Sequence, residues 1–93
     1  MHGEYKTPGG KLVVVDLAVT DGSLSRVRVS GDFFLYPDDA LAAIIGALEG
    51  APATADHATL SARVAAALAP DVTMLGFSPD AVARAVRRAL GDA

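Results

Sequence analysis

The stretch that decides the fold is KLVVVDLAVTDGSLSRVRVS, residues 11–30 of a 93-residue chain. Over its first half, β-branched apolar residues alternate with other residues, and an alternation of period two indicates a strand with one buried face. The second half alternates in the same way, and the Asp21-Gly22 pair between the halves is typical of a tight turn. The stretch therefore predicts a β-hairpin with strands at residues 11–20 and 24–30.

The register of this hairpin depends on the length of its loop. A two-residue loop at residues 21–22 sets the apolar Val15 opposite the charged Arg28. A three-residue loop at residues 20–22 shifts the pairing by one residue and sets Val15 opposite Val27, because side chains alternate between the faces of a sheet. We therefore predict the three-residue loop.

The remainder of the chain predicts one more strand and three helices. Residues 33–36 are apolar and favour a short third strand, and residues 71–77 form a partly extended connector. Apolar spacing of period 3.6, with helix-start and helix-stop residues, predicts helices within residues 37–50, 57–69 and 78–91. Strands followed by helices indicate an α+β fold: a small antiparallel sheet, made of the hairpin and the short third strand, followed by three helices packed on one face.

Composition restricts the classes of function. Hydrophobic residues make up 52% of the chain, but nineteen residues are alanine, so the core is built from a modest set of larger side chains. We expect a single domain over residues 1–93, too small for the usual substrate cavity of roughly 300–1,000 Å³. The absence of cysteine excludes a disulfide framework, a thiolate metal site and a cysteine nucleophile. It also fits a cytoplasmic protein.

The charge balance argues against two kinds of partner. The chain has eight Lys and Arg residues and eleven Asp and Glu residues, which give it a net charge of −3. A nucleic-acid-binding domain normally has a basic face, so we expect no nucleic-acid partner. No apolar run approaches the roughly 20 residues that span a bilayer, so we expect no membrane contact.

One loop stands out as a candidate binding site. Lys6 and Lys11 are the only lysines of the chain, and they flank Pro8-Gly9-Gly10. Glycine backbone can approach an anion closely. The loop is not a Walker phosphate loop, because Leu12 stands where that motif has its Ser or Thr and because the loop leads into a strand. The alternative interpretation is a simple turn before the first strand.

The sequence predicts neither a metal site nor a catalytic residue. His2 belongs to an N-terminal end that we expect to be frayed, and His57 to a helix start, so their spacing is not that of metal ligands. Arg84, Arg87 and Arg88 lie on the polar side of the third helix, where they indicate either a solvated face or a docking patch. No serine motif of a hydrolase occurs.

Alanines on the outer sides of the first two helices admit two interpretations. Ala43 and Ala47 in the first helix, and Ala62, Ala65 and Ala66 in the second, lie opposite the core positions. Small apolar residues there suit the close approach of another surface. Alanine is also an excellent helix former, so composition alone explains them equally well.

Three motifs in order carry a resemblance to a known family. They are Lys6-Thr7-Pro8-Gly9-Gly10-Lys11-Leu12, Ser30-Gly31-Asp32-Phe33-Phe34 and Leu75-Gly76-Phe77-Ser78-Pro79-Asp80. With them, residues 4–90 resemble the accessory, C-terminal domain of lipoate–protein ligases. Since the chain has no room for a catalytic domain and begins with Met1, it resembles either the form of this domain that is encoded separately or an excised domain.

The resemblance implies a role in protein lipoylation. In that family a catalytic domain binds lipoate and MgATP, forms lipoyl-AMP with release of pyrophosphate, and passes the lipoyl group to a lysine of an acceptor domain. The accessory domain is needed mainly for the adenylation step, so the resemblance implies a heterodimer whose ATP, Mg and lipoate are bound through the catalytic partner.

The resemblance also implies a set of site residues. We expect Lys6, Gly9, Gly10 and Lys11 to meet the ATP phosphates or the adenylate in trans, and Asp32, Phe33 and Phe34 to fix the fold and the docking surface. The alternative function is a non-catalytic protein-interaction or scaffold module.

Overall fold

The structure is a computed structural model that describes residues 1–9, 11–32, 34–36, 39–68, 72–75 and 78–91. The described residues form five strands and three helices. In chain order they are β1 (His2–Lys6), β2 (Leu12–Thr20), β3 (Ser23–Gly31), β4 (Phe34–Tyr36), α1 (Asp39–Leu48), α2 (His57–Ala67), β5 (Thr73–Leu75) and α3 (Pro79–Ala89). The predicted α+β class is confirmed.

The main sheet differs from the prediction in its third strand. Its order is β1-β2-β3, and both pairings are antiparallel. The predicted third strand exists as β4, but it pairs with β5 in a separate two-stranded sheet. The extension predicted in the connector is β5. The main sheet therefore takes its third strand from the N-terminal residues.

The expectation of a frayed N-terminal end is wrong. The sequence HGEYK has no apolar alternation, yet β1 pairs with β2 along its whole length, from His2 opposite Asp16 to Lys6 opposite Leu12. Gly3 is buried because α3 lies directly on it: a Cβ at this position would lie 2.2 Å from the carbonyl oxygen of Ala85. The close approach of α3 thus replaces the apolar side chain that normally identifies a buried strand position.

The predicted three-residue loop of the hairpin is also wrong. Thr20 pairs with Ser23, so the loop has two residues, Asp21 and Gly22, whose φ angles of 52° and 78° are both left-handed. Such angles are typical of a type I′ turn, whose twist matches that of the two strands. The shift in register that the apolar pattern requires therefore occurs elsewhere, within β3.

A β-bulge in β3 supplies that shift. The pairing changes between Asp16 and Ala18, and Arg26 has a left-handed φ of 50°. Beyond the bulge Val15 lies opposite Val29, and both side chains are buried. One extra residue in a strand restores the alternation as effectively as a longer turn.

Polar side chains cap the starts of α2 and α3, and a glycine follows the end of α1. Ser78 caps α3 by accepting a hydrogen bond from the Ala81 amide at 3.1 Å. Asp56 caps α2 by accepting from the Thr59 amide at 2.8 Å, and the hydrogen bonds from Thr59 lower the pKa of Asp56. Gly50, just beyond α1, has the left-handed φ of 80° that a chain leaving a helix commonly needs. Pro37, Asp38, Ala69 and Pro70, also part of these predictions, lie outside the described residues.

One hydrophobic core joins the helices to the inner face of the sheet. The helix α3 packs on β1 and β2, α1 packs on β3 and β4, and α2 packs on the other two helices. Of the apolar positions whose spacing predicts the three helices, six are fully buried and four are only partly buried. The buried ones are Ile44, Leu48, Leu60, Val64, Val82 and Val86, and the partly buried ones are Leu41, Ile45, Leu68 and Leu90. The opposite face of the sheet carries exposed charged side chains such as Glu4, Asp16 and Arg28 beside the half-buried Leu12 and Val14.

Candidate functional site

The predicted glycine loop is the hairpin connection between β1 and β2. At its base, the backbone amide and the hydroxyl of Thr7 both donate hydrogen bonds to the carbonyl oxygen of Lys11, at 2.7 and 3.0 Å. Gly9 has a left-handed φ of 96°, and a Cβ there would meet no atom within 4 Å. Gly10 lies outside the described residues. The loop is therefore firmly closed at its base, and its tip at Gly9 is open to solvent.

The structure places both lysines at the base of this loop. Lys6 is the last residue of β1, and Lys11 directly precedes β2. Both residues are exposed, and neither forms an ion pair with any carboxylate of the described residues. Two positive charges thus flank an open glycine tip. Such an arrangement can receive an anion.

Asp32 lies beside this loop, on the side of β3. Its carboxylate accepts a hydrogen bond from the backbone amide of Leu12 at 2.6 Å, and its own amide donates to the carbonyl oxygen of Leu12 at 3.3 Å. The predicted contribution of Asp32 to the fold thus has a direct geometric basis, because this residue holds the first residue of β2 where the loop ends. Its predicted part in docking stays a prediction.

The structure leaves the two phenylalanines of the predicted docking surface untested. Phe33 lies outside the described residues. The backbone of Phe34 belongs to β4 and pairs with Leu75. The fixing of Phe34 within the fold therefore has a basis in backbone pairing, while docking by this pair stays a prediction.

Tyr5 is a site residue that sequence reasoning missed. The guanidinium carbons of Arg84 and Arg88 lie 5.6 and 5.1 Å from the centre of its ring, within the range of cation–π attraction. Arg88 also donates a hydrogen bond to the carbonyl oxygen of Glu4 at 3.0 Å. These arginines are not simply a solvated face, since they attach α3 to β1. In the sequence, polar residues at positions 2, 4 and 6 alternate with Gly3 and Tyr5, and this alternation could have indicated a strand with Tyr5 on its inner face.

Each histidine pairs with carboxylates. His2 bonds to Glu4 at 2.7 Å and to Asp16 at 2.8 Å on the outer face of the sheet. The hydrogen bond to Glu4, followed by that to Asp16, raises the pKa of His2 above its usual 6.5. His57 bonds to Asp80, and this bond, followed by the one from Arg84, lowers the pKa of Asp80. The second pair joins the start of α2 to the start of α3.

Within the part of the chain that the structure describes, no group of three or more His, Cys, Asp or Glu residues could hold a metal ion. None of the described helices has the length and apolar content required to cross a bilayer. What the described residues offer is a cationic hairpin loop at one end of the sheet, next to an arginine-lined strand.

Comparison with solved structures identifies a protein of the same fold. The chain matches one chain of a structure with a TM-score of 0.66 and 21% sequence identity, and the match covers 100% of both chains. That structure is of an archaeal lipoylation system, a bi-partite lipoate protein ligase and its E2 lipoyl domain from Thermoplasma acidophilum. The two chains share one fold. No model of a protein family and no curated protein matches the sequence.

Proposed function

We propose that this chain is the accessory part of a lipoate–protein ligase and acts with a separate catalytic domain in the cytoplasm. The catalytic partner would bind MgATP and lipoate, and the pair would form lipoyl-AMP and pyrophosphate. The lipoyl group would then pass from the adenylate to a lysine of an acceptor domain.

Two independent observations support this proposal. The fold is that of a chain in the structure of a bi-partite lipoate protein ligase and its E2 lipoyl domain, with full coverage of both chains. The single observation that carries the site is that Lys11 flanks an open glycine tip without an ion-pair partner among the described residues. An exposed cation beside a closed hairpin base is suited to meet phosphate groups presented by another protein.

The proposed chemical role of the loop is electrostatic. When the carboxylate oxygen of lipoate attacks the α-phosphorus of ATP, the bond to the pyrophosphate oxygen breaks and negative charge grows on the leaving group. Lys11 would stabilise that charge, and Lys6 and the backbone at Gly9 and Gly10 would help position the phosphates. The hydrogen bonds from Thr7 and to Asp32 fix the base of the loop, so little reorganisation is needed during the reaction.

The test is lipoate-dependent pyrophosphate release by a catalytic ligase domain, measured with and without this chain. We expect release to depend on the chain and to fall about 100-fold with Lys11→Ala, the effect typical of removing one donor to a developing oxyanion. Lys11→Arg should retain more activity, because it keeps the charge. Transfer from preformed lipoyl-AMP to an acceptor domain should be unchanged.

Arg28→Ala is the matched control, since Arg28 is an exposed cation in the middle of β3, away from the loop. An equal loss in both alanine variants would mean that overall charge, rather than the loop, matters. If the chain binds the catalytic domain but changes neither half-reaction, it is an interaction module without a part in adenylation. Appearance of a lipoyl group on Lys6 or Lys11 themselves, seen by mass spectrometry, would make the chain an acceptor instead.

A further inference from the structure

The outer edge of β1 carries backbone groups that the main sheet does not use. Thr7 donates to the carbonyl oxygen of Lys11, and Leu17 donates to that of Met1, so residues 1 and 7 turn their backbone groups toward β2. Because strand residues alternate in direction, Gly3 and Tyr5 do the same. The amides of residues 2, 4 and 6 therefore point away from the sheet.

This edge has no strand beside it among the described residues. β1 is the outermost strand of the main sheet. One of its outward carbonyl groups, that of Glu4, accepts a hydrogen bond from the side chain of Arg88. The other edge of the sheet differs, because the segment after α1 pairs with β3 through Leu24, Ala51 and Gly50. Along the described length of β1, the amides of residues 2, 4 and 6 thus form a run of alternate free donors.

Positive charge lies on both sides of the free edge. Lys6 is exposed on the outer face, and Arg88 reaches the edge from α3, on the inner side. Neither has a carboxylate partner among the described residues, although the chain carries a net charge of −3. Side chains of an added strand would alternate between these two faces, so an acidic side chain opposite Lys6 on the outer face, or beside Arg88 on the inner face, would meet a cation, whereas one opposite Glu4 would meet a like charge.

A second copy of this chain is a poor occupant of the edge. Antiparallel pairing of two β1 strands about their centre would set Glu4 opposite Glu4 and His2 opposite Lys6. Like charges directly opposite each other destabilise a strand pair, and the pKa of His2 is already raised toward the charged form. Charge complementarity thus selects a different, acidic segment.

We propose that the free edge of β1 binds an extended acidic segment of the catalytic partner by strand addition. This inference rests on the proposed function and extends it, since the same edge runs into the Lys6–Lys11 loop. Docking on β1 would bring the loop tip against the partner. Arg88 would release the carbonyl oxygen of Glu4 and pair with an acidic side chain of the added strand. The Glu4 carbonyl oxygen would then accept a hydrogen bond from a backbone amide of that strand.

The test combines two substitutions at one position. Glu4→Pro removes both the Glu4 carboxylate and an outward amide that does not bond to β2. Glu4→Gln removes the carboxylate but keeps the amide. Proline is tolerated at such edge positions. Binding to the isolated catalytic ligase domain is measured by calorimetry at two salt concentrations. We expect Glu4→Pro to weaken binding tenfold or more, Glu4→Gln to change it less than twofold, and high salt to weaken the unmodified complex.

Amide exchange of the unmodified chain provides a second readout that does not depend on the folding of a variant. On binding, the amides of His2, Glu4 and Lys6 should become protected, whereas those of Gly3 and Tyr5 should be protected already in the free chain. Tight binding without new protection at residues 2, 4 and 6, or equal binding by both variants, would overturn the docking inference and leave the proposed function standing. A catalytic domain that neither binds nor responds to the chain would overturn both.

Discussion

Gly3 is required by packing rather than by backbone freedom. Its Cα lies so close to α3 that a methyl group would be 2.3 Å from the amide nitrogen of Ala89 as well as 2.2 Å from the Ala85 carbonyl. Both neighbours are backbone atoms of a helix and cannot rotate away. The first strand and the last helix can therefore touch only if this one side chain is absent.

Gly3→Ala should accordingly destabilise the protein by about 3 kcal/mol, at the upper end of overpacking costs. The matched control is Gly46→Ala in the middle of α1, where a Cβ would meet nothing within 4 Å. That change should stabilise the fold by up to about 1 kcal/mol, because alanine is the better helix former. Urea denaturation measures both, and equal effects of the two substitutions would contradict the close packing.

His2 should titrate above its usual range. NMR titration of its imidazole should give a pKa above 6.5, and Glu4→Gln should lower that pKa more than Asp16→Asn does, because the bond to Glu4 contributes most. An unchanged pKa in both variants would mean that the cluster does not form in solution.

The raised pKa of His2 also determines the direction in which pH changes the stability of the fold. Protonated His2 is favoured in the folded state, so its contribution is fully present below pH 6.5, the unfolded value, and is lost as pH rises through the higher folded value. The free energy of unfolding should therefore decline over that window in the unmodified protein, and the decline should be smaller in Glu4→Gln. An unchanged decline in Glu4→Gln would assign the pH effect to another group.

At the scale of elements, the bulge in β3 needs a partner outside the sheet. The backbone amide of Val27, beside the bulged Arg26, donates to the carboxylate of Glu49 at 2.8 Å. Glu49 follows the end of α1, so one side chain both satisfies the disrupted strand and holds the helix end against it. This is a role that no local pattern around residue 49 indicates.

Glu49→Ala should cost about 1–3 kcal/mol, the range for leaving a buried donor unsatisfied. Glu49→Gln keeps an acceptor oxygen at the same place and should cost clearly less. Chemical denaturation compares the two variants, and hydrogen exchange at the Val27 amide should accelerate only in Glu49→Ala. Identical stability of the two would show that the amide is satisfied in another way.

At the scale of the whole molecule, Arg87 connects segments that are far apart in the chain. One nitrogen of its guanidinium donates to the carbonyl oxygens of Ala53 and Ala55, both at 3.1 Å. These residues belong to the loop between α1 and α2, and Ala53 also donates to Gly22 in the hairpin turn. The last helix, the interhelical loop and the hairpin are thus held through one half-buried side chain.

Arg87→Ala should destabilise the fold by about 2 kcal/mol, because hydrogen bonds to a charged group are worth roughly 1.5–3 kcal/mol. Arg84→Ala is the control on the same helix: it loses an exposed ion pair with Asp80 and a contact with the Tyr5 ring, and each such interaction of an exposed side chain contributes about 1 kcal/mol or less. Thermal and urea unfolding measure both. A larger loss in Arg84→Ala would contradict the assigned roles.

Some elements of the fold follow from local sequence patterns, and others depend on contacts between residues that are distant in the sequence. The helices α1, α2 and α3 and the buried faces of β2 and β3 follow from periodicity and capping residues that lie within one element. The strand β1, the pairing of β4 with β5 and the position of the bulge do not. In each of these the deciding contact, such as α3 on Gly3 or Glu49 on Val27, comes from residues distant in sequence.

The candidate site likewise combines residues that the sequence indicates with contacts that only the structure shows. The lysines and glycines of the loop are visible as a motif, and the structure adds that Thr7 closes the loop and that Asp32 anchors it. Tyr5 and Arg88 were not predicted together, because 83 positions separate them. Only the packing of α3 on β1 brings them within cation–π distance.

The sequence by itself determined the α+β class, the hairpin at its centre and the exposed lysines of the loop, because turn chemistry and side-chain alternation act over a few residues. Only the tertiary structure decided which strand completes the sheet, where the register shifts and which edge stays open. Those choices depend on how closely two backbones approach and on which distant side chain satisfies a buried amide, and neither is encoded in a local pattern.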